Sequence, residues 1–189
     1  MGYLKTFLPW IAYGIGSAVA DWRIGLAAGL AVAIVVLITT DQEIDLISWA
    51  TAAFMAVLLP VAIAAPHGTV SDAMPAACLA FLGVVAGASI LAGRPFTETY
   101  ARRETPPELW ATDLFRQANR AITAGWTVSF LVTAAVVAVL LVAEPDQVAL
   151  RYGAQAAGFV AAARFTAWYR GRLAARFAPA PVDPSAATA

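Results

Sequence analysis

Apolar runs of roughly membrane-crossing length follow one another along this chain, separated by short polar breaks. A helix rises about 1.5 Å per residue, so about 20 apolar residues cross a hydrocarbon core about 30 Å thick. The pattern predicts spans over Ile24–Thr40, Leu46–Ala65, Met74–Gly93, Ala121–Ala143 and Val148–Tyr169. A shorter run from Phe7 to Ala20 precedes them, with Pro9 in its opening turn, where a missing N–H is tolerated. No run alternates with the two-residue period of a barrel strand, and hydrocarbon cannot satisfy free backbone groups, so helices are required. The expected fold class is all-α: a polytopic transmembrane bundle of about six spans, the first one short. It forms one domain over 1–177. The tail over 178–189 is mainly Pro, Ala, Ser and Thr, too poor in burial to offset ordering entropy, and is expected to be disordered.

Composition narrows the class further. With 61% apolar and 13% charged residues and a mean hydropathy of +0.73, the chain is too oily for an ordinary soluble domain. Its formal net charge of zero supplies no basic field for nucleic acid. The lone Cys78 excludes an internal disulfide and a cysteine metal cluster; the lone His67 excludes a multi-histidine metal or haem site. No phosphate loop, dinucleotide fingerprint or glycine-flanked nucleophile turn occurs, so neither a cofactor nor a catalytic group is expected. No Asp, Glu or Lys falls in the middle of a span. Such a charge costs about 2.5–3.5 kcal/mol on insertion scales and marks proton relays, so its absence argues against a proton-coupled transporter.

Charge placement sets the orientation. Arg94, Arg102, Arg103, Arg116 and Arg120 follow the fourth span, and Arg170, Arg172 and Arg176 follow the last, with Arg164 near enough to the end to snorkel. The connections 66–73 and 144–147 carry no Arg or Lys. Six spans with both termini in the cytoplasm put every large arginine cluster inside, although Arg23 then falls outside and the inner turn 41–45 is acidic. Arginine far exceeds lysine beside abundant Ala and Pro, which suggests a high-GC bacterial genome and hence a bacterial inner membrane. A competing reading takes Lys5, the first apolar run and Ala18-Val19-Ala20 as a cleaved secretory signal, leaving five spans.

The connector 94–118 is the richest segment. Thr105, Pro106 and Glu108 make a capping-box pattern for a short helix, and Leu109, Trp110, Leu114 and Phe115 supply apolar anchors among charges. This predicts an amphipathic helix lying in the cytoplasmic interface. Arg94, Arg102 and Arg103, with Tyr100 and Trp110, are candidates to hold lipid phosphates or an acidic partner, since guanidinium pairs with phosphate in bidentate fashion. The bland alternative is a connector whose arginines merely obey the orientation rule. On the fifth span Asn119, Thr123, Trp126, Thr127, Phe130 and Thr133 share one face, which either lines a hydrophilic cavity or packs on neighbouring helices. The pairs Gly25/Gly29 and Gly83/Gly87 allow close helix approach, within the bundle or across a homo-oligomer seam. Pro60 should kink the third span.

The residues Gly93-Arg94-Pro95-Phe96-Thr97, Tyr100-Ala101-Arg102, Pro107, Trp110, Phe115, Asn119, Ile122-Thr123, Trp126 and Phe130 resemble a signature of small bacterial inner-membrane proteins. The plan is also similar to the intracellular septation protein A family: Phe7-Leu8-Pro9 at the start, Asp21 before the second span, Arg94-Pro95 after the middle span. The interval from Trp110 through Asn119 to Trp126 is longer than in that family, which points to a sister group. The resemblance implies a non-enzymatic role in envelope maintenance and division through contacts with envelope-building proteins, and no catalytic residues. A small transporter, channel or lipid-handling protein using the fifth span's face is the second expectation. A lipid-directed enzyme comes third, for want of a carboxylate pair or metal ligands.

Overall fold

The computed structural model describes residues 2–40, 46–64 and 69–177. His67, the acidic turn 41–45 and the tail 178–189 lie outside them. Among the described residues the secondary structure is entirely helical: α1 (Gly2–Val19), α2 (Trp22–Thr39), α3 (Leu46–Ala64), α4 (Thr69–Leu91), α5 (Phe96–Glu104), a single 3₁₀ turn (Pro107–Leu109), α6 (Asp113–Ala143) and α7 (Val148–Phe177). Four helices are long and apolar enough to cross a membrane: α2, α3, α4 over Ser71–Leu91, and α6. The apolar part of α1 is shorter, Thr6–Val19. At 30 residues α7 is long, but Arg151, Gln155 and Arg164 keep it out of that class.

Asp21 caps α2, its Oδ1 accepting the Arg23 amide at 2.7 Å. Consecutive helices then pack antiparallel, and small residues set the spacing. A Cβ on Gly16 would lie 2.8 Å from Gly25 Cα, so α1 and α2 touch backbone to backbone. Gly29 faces Pro9 and Met55, Gly83 faces Leu131, and Gly87 faces Thr127. Both glycine pairs therefore pack inside the chain, against α1, α3 and α6, as the reading of close approach within the bundle expects. Pro60 lies within α3 without ending it and faces outward.

The bundle's centre is aromatic. Phe7 of α1 stacks on Trp126 with centroids 5.6 Å apart, and Phe130 and Phe159 close the cluster at 5.4 Å from each other. α1 is thus part of the core. Antiparallel packing brings the start of α1, the end of α4, α5, the start of α6 and the end of α7 to one end of the bundle. The contacts agree: Thr6 hydrogen-bonds Tyr100, and Arg170 pairs with Glu104 at 2.7 Å. The connector arginines and those closing α7 share that end. Arg23 and Arg151 lie at the other, hydrogen-bonded to the carbonyls of Ala62 at 2.8 Å and Pro145 at 3.1 Å.

Candidate functional site

The connector opens with a turn that its residues dictate. Gly93 has φ +73°, a left-handed conformation that suits glycine. Its amide donates to Ile90 O and the Arg94 amide to Ser89 O, both at 3.0 Å, which completes a Schellman cap on α4. Pro95 prevents α4 from continuing. The buried Ser89 hydroxyl accepts the Phe96 amide at 3.1 Å and so starts α5 against the end of α4.

The helix expected from Thr105 onward is instead α5, which ends there. Thr105 is its extended C-cap, and the Thr105–Glu108 capping box is not made. The reason is local: a residue before proline is driven out of the helical region, and Pro106 followed by Pro107 imposes this on Thr105 and Pro106 in turn. Only a 3₁₀ turn fits before Thr112 caps α6, accepting the Phe115 amide at 3.3 Å. The Trp110 indole N–H donates to Thr105 O at 2.9 Å and ties this bend together.

α5 is wedged into the bundle by one face and bears arginine on the other. Phe96, Thr97 and Tyr100 are buried; Arg94 and Arg103 are exposed and Arg102 is half-buried. Arg102 pairs with Glu98 at 2.6 Å and its Cζ lies 5.1 Å above the Trp110 ring. Arg103 Cζ lies 5.5 Å above the Tyr100 ring. Arg94 forms no ion pair among the described residues; with Pro95, Glu98, Thr99 and Arg102 it borders a dimple of about 40 Å³. The five residues expected to bind lipid or partner are thus gathered in one place with different parts. Tyr100 and Trp110 are anchors beneath the guanidinium groups, and Arg94 is the least committed charge.

Of the two readings of the α6 stripe, a cavity lining or packing on neighbouring helices, the structure shows packing from Asn119 to Phe130. Asn119 and Thr123 are buried against Thr97 of α5. The Thr97 hydroxyl lies 2.8 Å from Thr123 Oγ1, 3.1 Å from Asn119 O and 3.3 Å from Asn119 Oδ1; Asn119 Nδ2 donates to Phe115 O at 2.9 Å. The Trp126 N–H donates to Thr166 Oγ1 of α7 at 3.0 Å, the Thr127 hydroxyl to Thr123 O at 2.9 Å, and Phe130 belongs to the aromatic centre. Hydrogen bonds and rings take up the stripe from Asn119 to Phe130, while Thr133, buried against Gly158, lines a groove between α6 and α7. Thr97, which completes this network, stands in the sequence only as part of the Gly93–Thr97 motif, and Ser89, which starts α5, carries no signal there that marks it as a site residue.

Among the described residues no group of three or more His, Cys, Asp or Glu side chains gathers as a metal site. No family model, curated protein or solved structure matches the chain.

Proposed function

We propose that this protein is a six-span component of a bacterial cytoplasmic membrane, related to the septation protein A family, that supports envelope assembly or division without catalysing a reaction. In this reading α1 and α7 cross the membrane beside the four long apolar helices, and both termini lie in the cytoplasm. The arginine-rich end faces the cell interior, as the positive-inside rule requires. α5 rests in the interface, and Arg94, Arg102 and Arg103 dock oxyanions, either acidic segments of envelope or division proteins or the headgroups of anionic lipids.

The observation that carries the reading is the division of labour in the connector. Gly93, Pro95, Phe96, Thr97, Tyr100, Trp110, Phe115 and Asn119 are each accounted for by a turn, a buried contact or a hydrogen bond. Arg94 and Arg103 remain on the exposed surface of the segment, and Arg102, paired with Glu98 over Trp110, borders the same dimple as Arg94. A cavity-based transport role has no comparable support, because the α6 face it needs is packed.

The test is a chromosomal Arg94→Gln/Arg102→Gln/Arg103→Gln variant carrying a photo-crosslinker at Thr99. The wild-type residue set should capture an envelope or division protein, or anionic lipid, with the variant reduced roughly 100-fold, given about 1 kcal/mol for each of the three guanidinium groups at an anionic surface. Equal capture and normal division in the variant would overturn the proposal. A reporter fusion placing residues 98–118 outside the cell would overturn the orientation.

A further inference from the structure

Between α6 and α7 runs an apolar groove of about 940 Å³, open along the outside of the bundle. Ala124, Val128 and Val132 form one wall and Ala157 and Ala161 the other. Its α6 wall, from Ala121 to Val136, rises about 22 Å at 1.5 Å per residue, more than half of a hydrocarbon core about 30 Å thick. The floor is sealed by close approach: Ser129 donates to Gly158 O at 2.7 Å, and the Phe165 ring lies over Gly125.

The arginine-rich end of this groove is chemically distinct. Phe165, which lines it, meets the Trp168 ring at 5.9 Å, and Arg172 Cζ lies 5.5 Å above that indole. Ala161, Phe165, Trp168 and Arg172 recur at intervals of four, three and four, so they share one face of α7. Arg172 forms no ion pair among the described residues. An apolar trough that ends on an exposed indole and an unpaired guanidinium complements an amphiphile: a hydrocarbon tail followed by an anion. Trp and Arg at that depth are the usual interfacial anchors.

We infer that this groove binds an anionic phospholipid, with one acyl chain along the α6/α7 trough and the phosphate against Arg172 beside Trp168. The inference rests on the membrane reading above but uses none of Arg94, Arg102 or Arg103. A second copy is the other apolar body that a membrane offers. Two copies related by a twofold axis along the membrane normal would place both Arg172 guanidinium groups at the same end of the seam, where like charges oppose each other.

The experiment is native mass spectrometry of the full chain released from mixed vesicles of phosphatidylglycerol and phosphatidylcholine with identical acyl chains. The wild type should retain phosphatidylglycerol about fivefold over phosphatidylcholine, the ratio that about 1 kcal/mol for one guanidinium at a membrane surface supplies. Arg172→Gln should lower that preference about fivefold. Ala157→Leu, at an exposed position that fills the trough, should lower retention of both. The Arg94→Gln/Arg102→Gln/Arg103→Gln variant, whose connector can hold no anion, should keep a preference of about fivefold, and adding Arg172→Gln to it should bring the two lipids to parity. An unselective wild type, an Arg172→Gln protein with unchanged preference, or an Ala157→Leu protein with unchanged retention would overturn the inference. So would a dimer that Ala157→Leu separates, which would make the groove a seam between copies. A chain that folds without detergent would remove the membrane reading itself, whereas lost selectivity in a detergent-dependent chain removes only the lipid site.

Discussion

α6 meets two of its neighbours, α5 and α7, at the arginine-rich half of the bundle in different ways. Against α5 it presents Asn119 and Thr123, both buried and hydrogen-bonded to Thr97. Against α7 it presents Ala121, Ala124 and Gly125, whose small side chains leave a trough open to the surroundings. Lipid tails are as apolar as leucine, so helices in a membrane gain little from apolar contact alone. A junction that must hold one geometry is then best held by directional bonds, whereas the small-residue seam, bonded at Trp126–Thr166 and Ser129–Gly158, leaves its outer side to dispersion, for which a lipid tail competes. The comparison separates a rigid junction that positions the arginine face from a softer seam that accommodates a guest.

The sharpest way to break this contrast is Asn119→Ala. It removes an acceptor near Thr97 and opens a void at a position only 3% exposed. The expected cost is about 2 kcal/mol, combining a lost buried bond with a small cavity, measured by dodecyl sulfate unfolding in mixed micelles. A cost under about 0.5 kcal/mol would mean that the junction is no firmer than the seam. Thr97→Val keeps the shape and deletes only the hydroxyl. It should cost about 1 kcal/mol, within the range measured for hydrogen bonds between membrane helices. Combining it with Thr123→Val in a double-mutant cycle should return a coupling near 0.6 kcal/mol if the 2.8 Å contact is the bond that matters.

Much of this architecture was legible in the chain. Continuous apolar runs place α2, α3, α4 and α6 within a few residues at their apolar ends, because in a membrane apolar length is itself the signal. The polar boundaries were harder. α6 begins at Asp113 rather than near Ala121, since its first two turns are polar and helical continuity does not depend on hydropathy. α5 was missed because Thr105, Pro106 and Glu108 imitate a helix start, while the double proline makes them a helix exit. The α6 stripe had the right period and an ambiguous meaning. Nothing local to Asn119 or Thr123 reveals that Thr97 will lie against them, so a buried network and a wet cavity share one pattern. The same holds for the groove: small residues on α6 and α7 signal close packing, and only the register of the two helices shows that some of them are left uncovered.

On the seam side, Gly125→Ala probes how soft the contact is. The added methyl would meet the Phe165 ring at 2.5 Å, yet that ring is the end of a mobile side chain beside an open trough. It should swing aside at a net cost of about 0.5 kcal/mol, well below the 1–3 kcal/mol typical of overpacking in a tight core. Gly25→Ala gives the counterexample within the same molecule. There the obstacle includes backbone, Tyr13 O at 2.6 Å and Ser17 N at 2.8 Å, so α1 and α2 must separate and the full overpacking cost should appear. Equal costs at Gly125 and Gly25 would show that the α6/α7 seam is as close-packed as the α1/α2 hairpin.

The smallest effect concerns the link between the two regions. Arg170 of α7 pairs with Glu104 at the end of α5 at 2.7 Å, the one ion pair joining these two helices among the described residues. Both side chains are about half exposed, 52% and 43%, so solvent screens the attraction and its coupling should be about 0.3 kcal/mol in an Arg170→Gln/Glu104→Gln cycle. The value should fall further as salt is raised, since exposed pairs are screened over a Debye length of about 10 Å at 0.1 M. A weak coupling is what two mechanically separate regions require: α7 can adjust to a tail in the groove while α5 keeps its arginines in place. A coupling above about 1 kcal/mol, beyond the usual range for exposed pairs, would instead join wedge and groove into one unit, and occupancy of the lipid trough would then bias the docking face.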